Sequence, residues 1–522
     1  MGKMIAAAVQ FNPVRGEIAR NRERIAALFR EAAVGGARLV VFPEMATSGY
    51  VWRDREEIAP YVEPIPGPTT DALAALAAET GAHAVIGLPE ADADTGAYYN
   101  SAVLIGPGGV VGTYRKTHLF AADPRWAREG NDGFPVFDTP IGKIGLLICM
   151  DAMYFEPARI LGLQEADIVA FPTNWVGGGT NPPSKTWRLR AKENGVCWIA
   201  ANRSDTELGA QFTGGSAVID PNGEVQRCLV DGEGIVYGEI RTDQREASRL
   251  YRVRQPQAYQ EILLHPYLWR EGETFAAADK GTDPFEVTVL PIEPSAAEQL
   301  EGALAELGTA AAGAPRLVVL PEGRFRQADT GAPEAAACRG AIAEAARRHG
   351  VYIAFGMAAE RGEVAAYLYG PEGAVGEYRQ VHHRESPDVR SSGRFRVFQL
   401  PYGRVGLLTG ADAELPESYR VLAKYGADVI AVSGSGTESF EPWMQRIWAF
   451  ENDAILACAR PRHSANSLLF LHRQLDLEGG EPLSGTFRPE HTATARSRPF
   501  LRRMKTHLYD PIIQYAKQEV QA

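Results

Sequence analysis

Leu39-Val40-Val41-Phe42-Pro43-Glu44 is echoed far along the chain by Leu317-Val318-Val319-Leu320-Pro321-Glu322. The echo belongs to a series kept in order. Ala84 to Gly87 returns as Val351 to Gly356, and the hairpin before Lys116 returns as Ala366 to Gln380. Ile141 to Asp151 returns as Tyr402 to Asp412, and Arg188 to Asn194 as Arg446 to Asn452. Serial agreement over so long a stretch marks duplication of a whole domain, not a short solenoid period. Whatever fold the first half adopts, the second half is expected to adopt too.

Within one repeat, short apolar runs alternate with amphipathic stretches. Met4–Phe11, Ala37–Phe42 and Ala84–Leu88 read as strands, with helices over Asn21–Ala33 and Asp71–Thr80. Tyr99–Ile105 and Val110–Arg115 form a hairpin about Pro107-Gly108-Gly109. The pattern predicts an α/β fold with a mixed sheet and helices on its outer face. With 522 residues, 45% hydrophobic and 23% charged, the chain has ample material for such cores. A net charge of −11 argues against a nucleic-acid groove, and no apolar run approaches a membrane span. Five scattered cysteines with no CxxC pair argue against a disulfide framework or a zinc site, and for a reducing compartment, the cytoplasm. The N-terminal apolar run is too short for a signal peptide.

The chemistry concentrates at strand ends. Gly145-Leu146-Leu147-Ile148 reads as a buried strand ending on Cys149, with helical periodicity beginning at Ala152. A thiol at a strand-to-helix turn meets exposed N–H groups and a helix dipole, which favour a thiolate. Glu44 and Lys116 also close strands. Singly, each has a bland explanation: a core cysteine, a solvated carboxylate, a surface charge. Together they make a nucleophile, a base and an oxyanion donor. The N–H of Met150, just after Cys149, is a natural second oxyanion donor.

Phe42-Pro43-Glu44 with Ser48-Gly49-Tyr50, Tyr114-Arg115-Lys116-Thr117-His118-Leu119, and Gly145–Asp151 resemble the three signature blocks of the nitrilase, or carbon–nitrogen hydrolase, superfamily. The resemblance covers about residues 4–257. It implies a four-layer α-β-β-α sandwich, with Glu44 as general base and acid, Lys116 as oxyanion support and Cys149 as nucleophile. The family's second glutamate would be replaced by Asp123, with Glu129 as rival. Cys149-Met150-Asp151 resembles the amidase-like branches rather than true nitrilases. An amide or N-carbamoyl substrate is therefore expected, cleaved through a thioester with ammonia release; a nitrile is the alternative. Tyr50, Trp52, Phe120, Tyr154, Asn174 and Trp175 are expected around the cleft, with Tyr50, Asp123, Met150, Asn174 and Trp175 as substrate contacts. No metal and no cofactor is expected.

The second half keeps the glutamate as Glu322 but has Gln380 at the lysine position and Gly410 at the cysteine position. Without a nucleophile or cationic donor, covalent acyl chemistry has no start there. The resulting expectation is a catalytic domain over 1–257, a connecting arm over 258–282, a degenerate copy over 283–460 and a solvated or cross-packed extension over 461–522. Together the two copies would form a tandem, intramolecular pseudo-dimer, which leaves room for a homo-oligomer built on it.

Overall fold

The computed structural model describes residues 3–177, 182–242, 253–264, 284–307, 315–323, 333–358, 364–383, 393–463, 466–488 and 499–514. It divides into two compact units, Met1–Tyr251 with Ala516–Ala522, and Arg252–Tyr515.

The first unit contains two six-stranded sheets. One runs in the order Gly234–Arg241, Lys3–Gln10, Ala37–Val41, His83–Ala91, Tyr98–Gly106, Gly109–Arg115. The other runs Val225–Leu229, Ser216–Ile219, Cys197–Ala201, Ile168–Pro172, Gly142–Leu146, Val136–Thr139. In each, three central strands are parallel and antiparallel strands flank them. Parallel strands covered on both faces must be apolar throughout, and Ile168–Pro172 and Cys197–Ala201 are buried at every position.

Helices Ile18–Val34 and Pro68–Thr80 cover the outer face of the first sheet. Their Ile25, Leu28, Phe29, Leu73 and Leu76 share a core with Val40, Ile86 and Val103. Helices Phe155–Leu163 and Lys185–Asn194 pack together, joined where the buried Arg159 Nη1 donates to Glu193 O at 2.8 Å and to Asn194 Oδ1 at 3.0 Å. The inner faces of the two sheets press on each other. A side chain at Gly238 would stand only 2.4 Å from Val218 Cγ1 of the opposite sheet. The unit is thus the expected α-β-β-α sandwich.

The second unit repeats the architecture. Its sheets run Gly373–Arg379, Val364–Gly370, Tyr352–Ala358, Arg316–Gly323, Phe285–Val289, Leu483–Phe487, and Val397–Leu400, Gly403–Thr409, Val429–Ser433, Ile455–Ala459, Ser467–Leu471, Leu475–Gly479. Three of these strands lie beyond residue 460, where the sequence suggested an extension. Alternation in Leu475–Gly479 and Leu483–Phe487 is masked by glycine and charge on their half-exposed faces.

The later part of that stretch is also a copy. Turns Pro256–Ala258 and Gln260–Leu263 recur as Thr506–Leu508 and Asp510–Ile513. Tyr259 and Tyr509 are both fully buried. Each hydroxyl accepts a backbone N–H at 3.1 Å, from Gln255 and Lys505 respectively. The first of these arms groups with the second unit. There Arg254 Nε donates to Glu417 at 3.3 Å, and Tyr259 Oη lies 2.6 Å from His382 Nε2. The rest of the expected connecting arm, from residue 265, and Arg496 and Arg498 of the tail lie outside the described residues.

Candidate active site

Three strand ends of the first unit converge on one buried cluster. Glu44 follows Ala37–Val41, Lys116 follows Gly109–Arg115, and Cys149 follows Gly142–Leu146. The first two come from one sheet and the third from the other. Glu44, Lys116 and Asp123 are fully buried, and Cys149 is 5% exposed. The approach of Glu44 to its neighbouring strand needs glycine. A Cβ on Gly87 would sit 2.5 Å from Glu44 Cα.

Lys116 Nζ donates to Glu44 Oε1 at 2.7 Å and to Asp123 Oδ2 at 2.6 Å. An ammonium has three N–H donors, so one more is available. Glu44 Oε1 also accepts from Asn100 Nδ2 at 2.7 Å, and Oε2 from the Asn174 N–H at 2.8 Å. The Asn174 side chain returns a bond from Nδ2 to Glu44 O at 3.0 Å. Asp123 accepts from Phe120 N at 3.0 Å and from Asn100 Nδ2 at 3.2 Å. Glu129, the rival carboxylate, is exposed.

Burial sets the electrostatics. It pushes the Glu44 carboxyl up, and the Asp123 charge adds to this, against the opposing pull of Lys116 and Asn100. Burial alone would lower the Lys116 ammonium, but the charges of Asp123 and Glu44 outweigh it and hold the lysine cationic. The Cys149 thiol is pushed up by burial and by Glu44, opposed by Lys116 and by contacts with Thr173 and the Asn174 N–H. This reverses the expectation of a resting thiolate. The segment after Cys149 is a five-residue 3-10 turn, Cys149–Met153, and the α-helix starts only at Phe155. The helix dipole therefore begins too far on to offset desolvation.

Cys149 sits at φ +45°, and Met45, next to Glu44, at φ +51°. Side chains with a Cβ avoid this region, and residues held there cluster at functional sites. The turn carrying Cys149 is held by Asp151. Its Oδ2 accepts from Ile148 N at 2.9 Å and Tyr114 Oη at 2.8 Å. Its Oδ1 accepts from Thr117 Oγ1 at 3.0 Å and His118 N at 3.1 Å, and lies 2.8 Å from His118 Nδ1.

The remaining sequence candidates divide. Tyr50 lies beside the cluster, its ring 5.9 Å from Lys116 Nζ and its hydroxyl donating to Phe120 O at 3.0 Å. Met150 and Trp175 are partly exposed next to Cys149 and Asn174. Trp52 and Tyr154 are packing residues. Trp52 stacks on Tyr61 at 4.7 Å, and Tyr154 stacks on His118 at 4.1 Å. Sequence reasoning missed Asn100 and Glu207. Asn100 was visible as an amide inside the strand Tyr98–Gly106, otherwise apolar beyond Ser101. Glu207, whose Oε1 accepts from Tyr50 N at 2.9 Å and Val51 N at 2.6 Å, lies on a two-residue strand too short to leave a pattern.

In the second unit, Tyr378, His382 and Asp412 rebuild the turn support. Asp412 Oδ2 accepts from Tyr378 Oη at 2.6 Å and Thr409 Oγ1 at 2.9 Å, and Oδ1 lies 2.7 Å from His382 Nδ1. Gln380 and Gly410 stand at the positions of Lys116 and Cys149. A Cβ on Gly410 would fall 2.1 Å from Glu438 Oε1, a buried carboxylate bonded to Ser435 and Gly436. Gly410 is not in the left-handed region, though glycine could enter it freely. Among the described residues of the whole chain, no group of three or more His, Cys, Asp or Glu side chains is arranged to hold a metal ion. Nor is any helix among them long and apolar enough to cross a membrane.

The carbon–nitrogen hydrolase family model matches twice, over residues 5–249 and 290–476. A protein of Pyrococcus abyssi named nitrilase is 40% identical over 220 residues, 42% of this chain and 82% of its own length. Human omega-amidase NIT2 is 33% identical over 235 residues, 42% of this chain and 82% of its own. The crystal structure of an amidase from Nesterenkonia sp. is 25% identical with a TM-score of 0.41, covering 46% of this chain and 93% of that one. With both halves matched, this chain belongs to the carbon–nitrogen hydrolase family, as a tandem hydrolase of the amidase-like nitrilase branch.

Proposed function

We propose that the first unit hydrolyses a small amide or N-carbamoyl compound, with Cys149 as nucleophile, Glu44 as general base and acid, and Lys116 as oxyanion support. The observation that carries this is the buried Lys116 ammonium held between Glu44 and Asp123 beside the Cys149 turn. The Cys149 proton passes to Glu44 as sulfur attacks the carbonyl carbon. The free Lys116 N–H and the Met150 N–H meet the oxygen as it gains charge. Glu44 then protonates the departing nitrogen, releasing ammonia and leaving a thioester. A water loses its proton to Glu44, adds to the thioester, and the acid departs as the thiol is restored. Asp123 holds Lys116, and Tyr50, Asn174 and Trp175 border the substrate. The second unit, with Gln380 and Gly410 at the lysine and cysteine positions, does no chemistry.

A nitrile substrate is the second reading, favoured by the name of the Pyrococcus abyssi relative. Ammonia release from a panel of ω-amides, N-carbamoyl compounds, aliphatic amides and their matching nitriles separates the two. Turnover of amides but not nitriles, abolished by Cys149→Ala, supports the proposal. Faster nitrile than amide turnover would replace it, and full activity in Cys149→Ala would end it.

A further inference from the structure

Two buried carboxylates share one lysine in this site, and a single cation cannot neutralise both. Asn100 stands where the deficit falls. Its Nδ2 donates to Glu44 Oε1 at 2.7 Å and to Asp123 Oδ1 at 3.2 Å, and the residue is fully buried. We propose that Asn100 is a positioning residue of the hydrolase site, whose side-chain amide bridges Glu44 and Asp123 and holds Glu44 beside Lys116 as the base. The inference rests on the roles proposed above for Glu44 and Cys149.

The orientation of the amide is fixed by its surroundings. Turned over, it would aim oxygen at two carboxylates. As it stands, Asn100 Oδ1 has no partner among the described residues. An unpaired buried acceptor costs stability, so the amide is held for its donor end. A residue kept for packing alone would be better served by an apolar side chain.

The duplicated half supplies an internal control. The backbone carbonyl of Asn100 accepts from Lys116 N at 2.8 Å, and that of Val364 accepts from Gln380 N at 3.0 Å. Val364 is therefore the counterpart of Asn100. The copy keeps the turn support, Tyr378, His382 and Asp412, which the fold needs in both halves. It exchanges lysine for Gln380, cysteine for Gly410 and asparagine for Val364. Of the Glu44-centred groups with a described counterpart, the glutamate remains as Glu322. Asn100 thus changes with the chemistry and not with the scaffold. It does so in a strand whose pairing is the same in both halves.

Besides Asn100 and the Asn174 N–H, the groups facing Glu44 are Lys116 and Asp123, with Cys149 and the Tyr50 ring beside them. Removing the donor leaves Glu44 facing the Asp123 charge with one ammonium between them, so Glu44 takes up a proton at higher pH. A protonated Glu44 cannot accept the thiol proton.

The test is the pH dependence of Cys149 alkylation by iodoacetamide, followed by mass spectrometry of the Cys149 peptide in the full chain. Wild type, Asn100→Leu and Asn100→Asp are compared, with thermal melting alongside. The lower limb should move up by about one pH unit in Asn100→Leu, about tenfold slower alkylation at a pH on that limb, with the high-pH plateau kept. Asn100→Asp, which adds a third carboxylate in the same shape, should move it further. A limb unmoved in both variants, or a loss equal at every pH, would overturn the proposal. If Asn100→Leu does not fold, the isosteric Asp variant decides by the same criterion. An enzyme that turns over no amide or nitrile refutes the proposed function, whereas an active enzyme with an unmoved limb refutes only the role of Asn100.

Discussion

Lys116 Nζ lies 2.7 Å from Glu44 Oε1, and neither side chain reaches solvent. Breaking one partner of a buried pair leaves the other charge uncompensated. Lys116→Ala should therefore lose activity on the order of a hundredfold or more, as for an oxyanion donor. Glu44→Gln should be comparably severe and should also slow alkylation of Cys149. Turnover and alkylation rates on folded variants check both.

The pH profile follows from burial. With the Glu44 carboxyl raised above its ordinary 4.5, the lower limb of kcat/KM should lie above that value. Activity should appear as the carboxyl ionises and rise with pH. A limb at or below the ordinary carboxylate value would contradict the electrostatics described here.

Asp151 serves stability and Asp412 is its counterpart. Burial raises the Asp151 carboxyl, but the bonds from His118, Ile148 and Tyr114 outweigh it and hold it below 3.8. A carboxyl depressed in the folded state stabilises fully above its unfolded value and loses that contribution as pH falls through the folded one. Asp151→Asn and Asp412→Asn should each cost about 2–3 kcal/mol at neutral pH, measured by denaturant unfolding. Only the first should also lower turnover per folded molecule, because only that turn carries Cys149.

Placing lysine and cysteine at positions 380 and 410 alone should not give the second unit activity. Gln380→Lys with Gly410→Cys should give no activity in a Cys149→Ala background, since the new side chain meets Glu438. Glu322→Ala in the native chain should leave catalysis almost unchanged. Steady-state assays with the substrate found in the panel check both.

The repeat made the fold legible, because Leu39–Glu44 and Leu317–Glu322 share one residue pattern and each strand is a buried apolar run. Boundaries blurred where the signal was physical but short. Thr206–Glu207 spans two residues, and the closing strands of the second unit are half polar. Glu44, Lys116 and Cys149 stand out because each sits in one of the three blocks that resemble the family's signatures. The state of Cys149 does not, because desolvation depends on everything packed around the sulfur. Asn100 was overlooked for the opposite reason: one polar residue in a strand has many uses, and only its two carboxylate partners reveal this one.

Asn174 and Glu44 grip each other twice, backbone to side chain in both directions, and they follow strands of opposite sheets. The site is in this sense a clasp on the sandwich. Prising the sheets apart at this edge undoes the base, and undoing the base loosens the edge. The first unit should consequently have no half-open form that still turns over substrate. Its catalysis and its core should fail at one denaturant concentration, and the Asn174 amide proton should exchange with solvent only through that same cooperative opening.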